Sequence, residues 1–255
     1  MTELHPDFLR RPIAHRAFHD RAAGRPENSL AAVRAAVEAG YGIEIDLQLS
    51  ADGQAMVFHD YHLGRLTAEQ GPVRGRSAAE LAAIPLAGGS EGIPGLAAVL
   101  AEVAGRVPLL VEIKDQHGAM GETCGRLEAA AAAALEGYAG PVAVMSFNPH
   151  AVAHMARLAP DVPRGLTTCA FAAEDWTLLP EERRRALRDI LDFERVGACF
   201  VSHHMRDLDR PRLDELSASG AAILSWTIRS AEDEAQARRR AANVTFEGYH
   251  AEIPA

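Results

Sequence analysis

Apolar positions along the chain keep two different periods in turn. Short runs of period two, or of continuous apolar character, alternate with longer runs at helical spacing. Strand-like runs lie at 12–16, 42–49, 55–59, 107–113, 142–147, 164–168, 198–202, 222–228 and 243–246. Between them the spacing predicts helices over 29–38, 77–84, 95–105, 126–136, 149–158, 181–194, 209–218 and 231–241. Asp52-Gly53 marks a tight turn, and Pro149 stands where proline favours the start of a helix.

Strands that alternate with helices imply a parallel sheet, because parallel neighbours need crossover connections. No Pro/Ser-rich linker divides the chain, and its 255 residues match the roughly 250 of an α/β barrel. An open doubly wound sheet is the rival, but no Gly-x-Gly-x-x-Gly follows the first run. The expectation is α/β: one domain over residues 1–255, a single TIM (β/α)8 barrel. A short insertion separates the second strand region from the third core strand at 107–113.

In such a barrel the chemistry sits at the C-terminal ends of the strands. His15 and Arg16 end the first run, and His59, followed by Asp60, ends the 55–59 run. Glu44 and Asp46 are two apart in 42–49 and share a face, while Ile43, Ile45 and Leu47 take the helix-covered side. Glu112 repeats the anomaly at the end of 107–113, with Lys114 two residues on along the same face. Carboxylates aimed into a barrel repel unless a cation or proton lies between them. Three of them make a hard oxygen site suited to Mg²⁺ or Ca²⁺. Two histidines, an arginine and a lysine around such an ion suit phosphoryl chemistry.

Composition narrows the partners. Lysine plus arginine total 26 against 35 aspartate plus glutamate, a formal charge of −9, which argues against a nucleic-acid partner. A local basic pocket for one small anion is compatible with that total. The three cysteines, Cys124, Cys169 and Cys199, form no framework and read as small hydrophobes in a reducing compartment. The amino-terminal segment has no apolar signal core, and no run approaches the ~20 apolar residues of a membrane span. A cytoplasmic protein without stable membrane association is expected, and a homo-oligomer is left open.

The order and spacing of His15-Arg16, Pro26-Glu-Asn-Ser29, Ile43-Glu-Ile-Asp46, Asp52-Gly53, Val57-Phe-His-Asp60, Val111-Glu-Ile-Lys114 and Ser225-Trp-Thr227 carry a resemblance. The chain resembles the glycerophosphodiester phosphodiesterase family of the phospholipase-C-like phosphodiesterase barrels, most densely over 13–60. The resemblance implies a TIM-type barrel with one divalent cation, Mg²⁺ or Ca²⁺, on Glu44, Asp46 and Glu112. It implies His15 and His59 as an acid/base pair and Arg16 as the phosphate grip. Lys114 would assist that grip or orient a carboxylate, and Glu27 would face the glycerol or metal region. Asn28 would help cap the next helix, and Trp226 would form an apolar wall of the pocket. The implied reaction is hydrolysis of a small glycerophosphodiester, such as glycerophosphocholine or glycerophosphoethanolamine, to sn-glycerol 3-phosphate and an alcohol.

Two departures bear on substrate choice. Ala17 stands where the family usually has glycine, and Phe246-Glu-Gly-Tyr249 replaces the usual Thr-Asp-x-Pro, with Glu247 at the aspartate's place. The insertion, 60–92, is short and suits a small soluble diester. A lysophospholipase-D-like activity on lipids is the same-fold alternative. A non-catalytic barrel that binds a phosphorylated ligand is the alternative of another class. The remaining histidines read as ordinary surface or core residues, with His203 the one placed to line the pocket.

Overall fold

Eight strand-like runs pair side by side in parallel and close into a ring. The computed structural model describes residues 2–254. In chain order its elements are α1 (Asp7–Arg10), β1 (Ile13–Ala14), α2 (Leu30–Ala39), β2 (Gly42–Leu49), β3 (Ala55–Val57), α3 (Ala78–Ala82), α4 (Leu96–Val103) and β4 (Leu109–Ile113). They continue as α5 (Arg126–Leu135), β5 (Val142–Ser146), α6 (Pro149–Leu158), β6 (Arg164–Thr168), α7 (Glu181–Arg188), β7 (Phe200–His204), α8 (Pro211–Ala218), β8 (Ala222–Ile228), α9 (Ala231–Ala237) and β9 (Asn243–Phe246). The parallel order β2-β4-β5-β6-β7-β8-β9 is closed by β1, which pairs with both β9 and β2. This is the TIM barrel the sequence predicts; β3 lies outside the ring, antiparallel to β2.

Period two along each strand sorts the side chains into two environments. Ile43, Ile45, Leu47, Val111, Val144 and Val201 join the large apolar layer between barrel and helices. The alternate positions Leu110, Ala143, Met145, Phe200 and Leu224 pack together with Ile13 and with Phe8 of α1. Phe8 is fully buried, and Asn243 Nδ2 donates to the Phe8 carbonyl at 2.7 Å and the Arg11 carbonyl at 2.6 Å. One end of the barrel is therefore filled with hydrocarbon. Gly165 makes room in that filling, since a Cβ there would meet the Phe200 ring at 2.4 Å.

The insertion carries a small core of its own, with Phe58, Leu63, Leu66, Val73, Leu81, Leu86 and Ile93 buried together. Ser77 caps α3 through a reciprocal pair with Glu80. Gly92 crosses α3 so closely that a Cβ would meet the Ala82 carbonyl at 1.9 Å.

Several elements are shorter than their apolar patterns predict. The strand expected over 12–16 ends at Ala14 because Arg16 (φ 52°) and Ala17 (φ 64°) turn the chain in the left-handed region. The helix expected over 181–194 stops at Arg188, before Ile190 at φ 51°. The sixth core strand runs over 200–204 rather than 198–202, in register with β6 and β8. The three cysteines are free, and among the described residues no helix is long and apolar enough to cross a membrane.

Candidate active site

The end of the barrel opposite the Phe8 plug collects the polar residues. β2 and β4 pair with Asp46 directly across from Glu112, so their inward faces bring both carboxylates and Glu44 together. Glu44, Asp46 and Glu112 are all buried and offer one oxygen each within 4.8 Å of one another. Lys114, the next inward residue of that face, places Nζ 2.7 Å from Asp46 Oδ1 and 2.6 Å from Glu112 Oε1.

The left-handed turn after β1 serves this cluster. It aims the Arg16 N–H at Glu44 Oε2 (2.8 Å) and the Ala17 N–H at the Glu44 carbonyl (2.9 Å). The chain then returns so that Asn28 Nδ2 donates to Asp46 Oδ2 at 2.9 Å. This corrects the capping role expected for Asn28. Ser29 caps α2 by accepting from the Ala32 N–H, and Asn28 (φ 59°) braces Asp46 instead. Arg16 Nη1 donates to Glu27 Oε1 at 2.8 Å, and its Nε lies 3.6 Å from Asp46 Oδ2 with no hydrogen-bond partner.

Three acids and two fixed cations leave this cluster short of positive charge. Burial, then the neighbouring Asp46 and Glu112, push the Glu44 carboxyl well above its usual range. For Asp46 burial acts the same way, but Lys114, His59 and Arg16 outweigh it and hold the group far below the usual range. Burial opposes the Lys114 charge, yet Asp46 and Glu112 raise its pKa and keep it an ammonium. Glu44 Oε1 is buried without a hydrogen-bond partner. An orphaned acceptor among three carboxylates fits a hard divalent cation, and the cluster can hold one.

Each predicted histidine is oriented by an acid. His15 Nδ1 lies 2.5 Å from Glu247 Oε2, just past β9, and His59 Nδ1 lies 2.7 Å from Asp60 Oδ1. With both Nδ1 atoms engaged as donors, each imidazole keeps Nε2 for proton transfer. Burial lowers the His15 pKa, against the raising effect of its bond to Glu247. Glu247 also accepts from Arg229 Nε at 2.9 Å.

Trp226 stands apart from the charged group. The ring positions β5 to β8 carry an aromatic wall in which Phe147 packs against Trp226 (centroids 5.5 Å) and Trp176 (5.3 Å). Trp226 Nε1 donates to the Ser202 carbonyl at 2.9 Å, which satisfies its one polar group, and His204 packs edge-on to the ring at 5.0 Å between centroids. His203 does not line the pocket. It is fully buried, bonded to Thr168 Oγ1 at 2.7 Å, and burial pushes its pKa down to about 4.

The structure thus gathers His15, Arg16, Glu27, Glu44, Asp46, His59, Glu112 and Lys114 in one cluster. Sequence reasoning left Glu247 without a role, although period two from Asn243 through Thr245 points it inward. It missed Arg65 altogether, because an arginine in an irregular insertion has no period to betray its direction.

Fold and site define a TIM-barrel protein with an acidic, cation-ready mouth flanked by two acid-held histidines. Comparison with known proteins narrows that class. Residues 15–245 match the model of the Glycerophosphoryl diester phosphodiesterase family. A glycerophosphodiester phosphodiesterase of Caldanaerobacter subterraneus is 31% identical, over 87% of this chain and 86% of that protein. An Oleispira antarctica phosphodiesterase, solved with its product sn-glycerol-3-phosphate, aligns at 25% identity and TM-score 0.76 over 94% of this chain and 93% of that one. A Thermotoga maritima glycerophosphodiester phosphodiesterase shares the fold at 20% identity and TM-score 0.69, over 92% of each chain. The chain belongs to the glycerophosphoryl diester phosphodiesterase family and is a phosphoric diester hydrolase.

Proposed function

We propose that this chain is one catalytic barrel domain that hydrolyses small glycerophosphodiesters, such as glycerophosphocholine or glycerophosphoethanolamine, to sn-glycerol 3-phosphate and an alcohol. The observation that carries the reading is the convergence of three buried carboxylates with two acid-oriented histidines on the rim of one barrel. Glu44, Asp46 and Glu112 would hold one divalent cation, Mg²⁺ or Ca²⁺. When bound, it supplies Lewis-acid charge to a phosphate oxygen.

The chain's own groups do the rest. Arg16, anchored through Nη1 on Glu27, retains a buried, unpartnered Nε for a phosphate oxygen. Lys114 bridges Asp46 and Glu112 through one Nζ and helps keep Asp46 ionised. One histidine takes the proton of the attacking oxygen at Nε2 as the new P–O bond forms. The other gives its Nε2 proton to the departing alkoxide as the old P–O bond breaks. Trp226 and Phe147 present an apolar face to the substrate's organic portion. The free cysteines suit a cytoplasmic setting.

His15→Ala and His59→Ala test the pair at saturating glycerophosphocholine. Each should cost turnover by roughly 100-fold or more. Full activity in either variant contradicts the acid/base assignment.

A further inference from the structure

The guanidinium of Arg65 ties the insertion to the reacting side of the barrel. Its Nε and Nη2 donate to Asp60 Oδ2 (2.6 Å) and Oδ1 (2.8 Å), and its Nη1 and Nη2 donate to Glu27 Oε2 and Oε1 (both 2.9 Å). Each of those carboxylates also holds one nitrogen-bearing group of the proposed site. Asp60 accepts from His59 Nδ1, and Glu27 accepts from Arg16 Nη1. One planar fork therefore orders two carboxylates that in turn order a histidine and an arginine.

An exposed ion pair on a loose loop would contribute little. Arg65 differs in two respects. It is bidentate to both partners, a geometry that a lysine cannot reproduce. Its backbone is also fixed, because it ends a single 3-10 turn between Leu63 and Leu66, both buried in the insertion's own core. Thr67 Oγ1 closes that turn by donating to the Leu63 carbonyl at 3.1 Å.

The charges agree with a clamp. Burial favours the neutral acid at both partners, yet the bonds from Arg65 come next in weight and help hold both Glu27 and Asp60 below their usual ranges. Without Arg65, Asp60 loses both its guanidinium donors and is free to rotate away from His59. Glu27 would keep Arg16 alone and lose the partner of its second oxygen.

We propose that Arg65 is a positioning residue, through which the 60–92 insertion sets the His59 tautomer by way of Asp60 and the Arg16 rotamer by way of Glu27. This rests on the reading of His59 and Arg16 given above. The insertion is then a structural part of the catalytic apparatus as well as a neighbour of the barrel mouth.

The test compares wild type with Arg65→Gln and Arg65→Lys by ¹⁵N NMR of the His59 ring and by kcat and KM on glycerophosphocholine. Wild type should show the Nδ1–H tautomer, and Arg65→Gln a mixture with Nε2–H. Turnover in Arg65→Gln should fall about 10- to 100-fold, the usual effect of losing an outer partner. Arg65→Lys should recover only part of it. In an Asp60→Asn background the kcat loss from Arg65→Gln should shrink to the part that passes through Glu27 and Arg16. An unchanged tautomer, an undiminished kcat loss in that background, or a loss of the folded circular dichroism spectrum in Arg65→Gln would overturn the clamp. A wild type inactive on every glycerophosphodiester would instead overturn the proposed function, while the tautomer still decides for or against Arg65.

Discussion

Glu247, just past the last strand, accepts from His15, just past the first, at 2.5 Å between Oε2 and Nδ1. The pairing joins the two ends of the chain's barrel across the β1–β9 seam. It also anchors the Glu247 carboxylate, whose other oxygen accepts from Arg229 Nε. Glu247→Gln should remove the charge that favours the His15 imidazolium. The His15 pKa, already lowered by burial, falls further. The limb of the log(kcat/KM) profile that reports His15 should then move to lower pH. A limb that stays in place would separate Glu247 from the proton chemistry.

Glu44 is a buried acid whose ionisation costs stability. Its folded pKa stands above its unfolded value, so between those two values the folded state binds more protons and stability declines as pH rises. Glu44→Gln abolishes that decline. With no divalent ion present, the variant should melt above wild type at neutral pH, and the gap should close towards about pH 4, the range of an ordinary carboxyl. Added Mg²⁺ or Ca²⁺ should raise the melting temperature of wild type and not of the variant. A variant that gains from the ion as wild type does would remove Glu44 from the ligand set.

Asn28 is fully buried at φ 59° with its amide on Asp46. Asn28→Ala leaves an unsatisfied buried carboxylate oxygen and places a less suitable residue in the left-handed region. The cost should be about 1–3 kcal/mol in denaturant unfolding. A cost near zero would show that Asp46 is held well enough by Lys114 alone.

Gly165 tests the packing under the site. Gly165→Ala pushes a methyl into the Phe200 ring and should destabilise by about 1–3 kcal/mol. Adding Phe200→Leu should recover much of that loss. Additive costs in the double variant would place the strain elsewhere.

Much of this was legible in the residues because the barrel rests on repeated short patterns. Period two on 42–49 separated Glu44 and Asp46 from Ile43 and Ile45, and the same logic placed Glu112 and Lys114. What escaped depends on backbone that has no period. The left-handed turn at Arg16 and Ala17 ends β1 early and turns main-chain donors onto Glu44. Asn28 follows in the same irregular loop, so its reach to Asp46 looked like a helix cap from sequence alone. Arg65 lies in an insertion whose fold is set by its own small core. His203 shows the converse: the sixth core strand runs on to His204, so alternation from inward Phe200 puts His203 on the helix-covered side and His204 on the inner one.

If turnover depends on a bound divalent cation, one measurement shows it directly. Purified protein is incubated with glycerophosphocholine and Mg²⁺ or Ca²⁺, and sn-glycerol 3-phosphate release is followed with and without a chelator. Steady release that the chelator stops and that fresh ion restores is expected. Release that continues undiminished in chelator, or no release with either ion, contradicts that expectation.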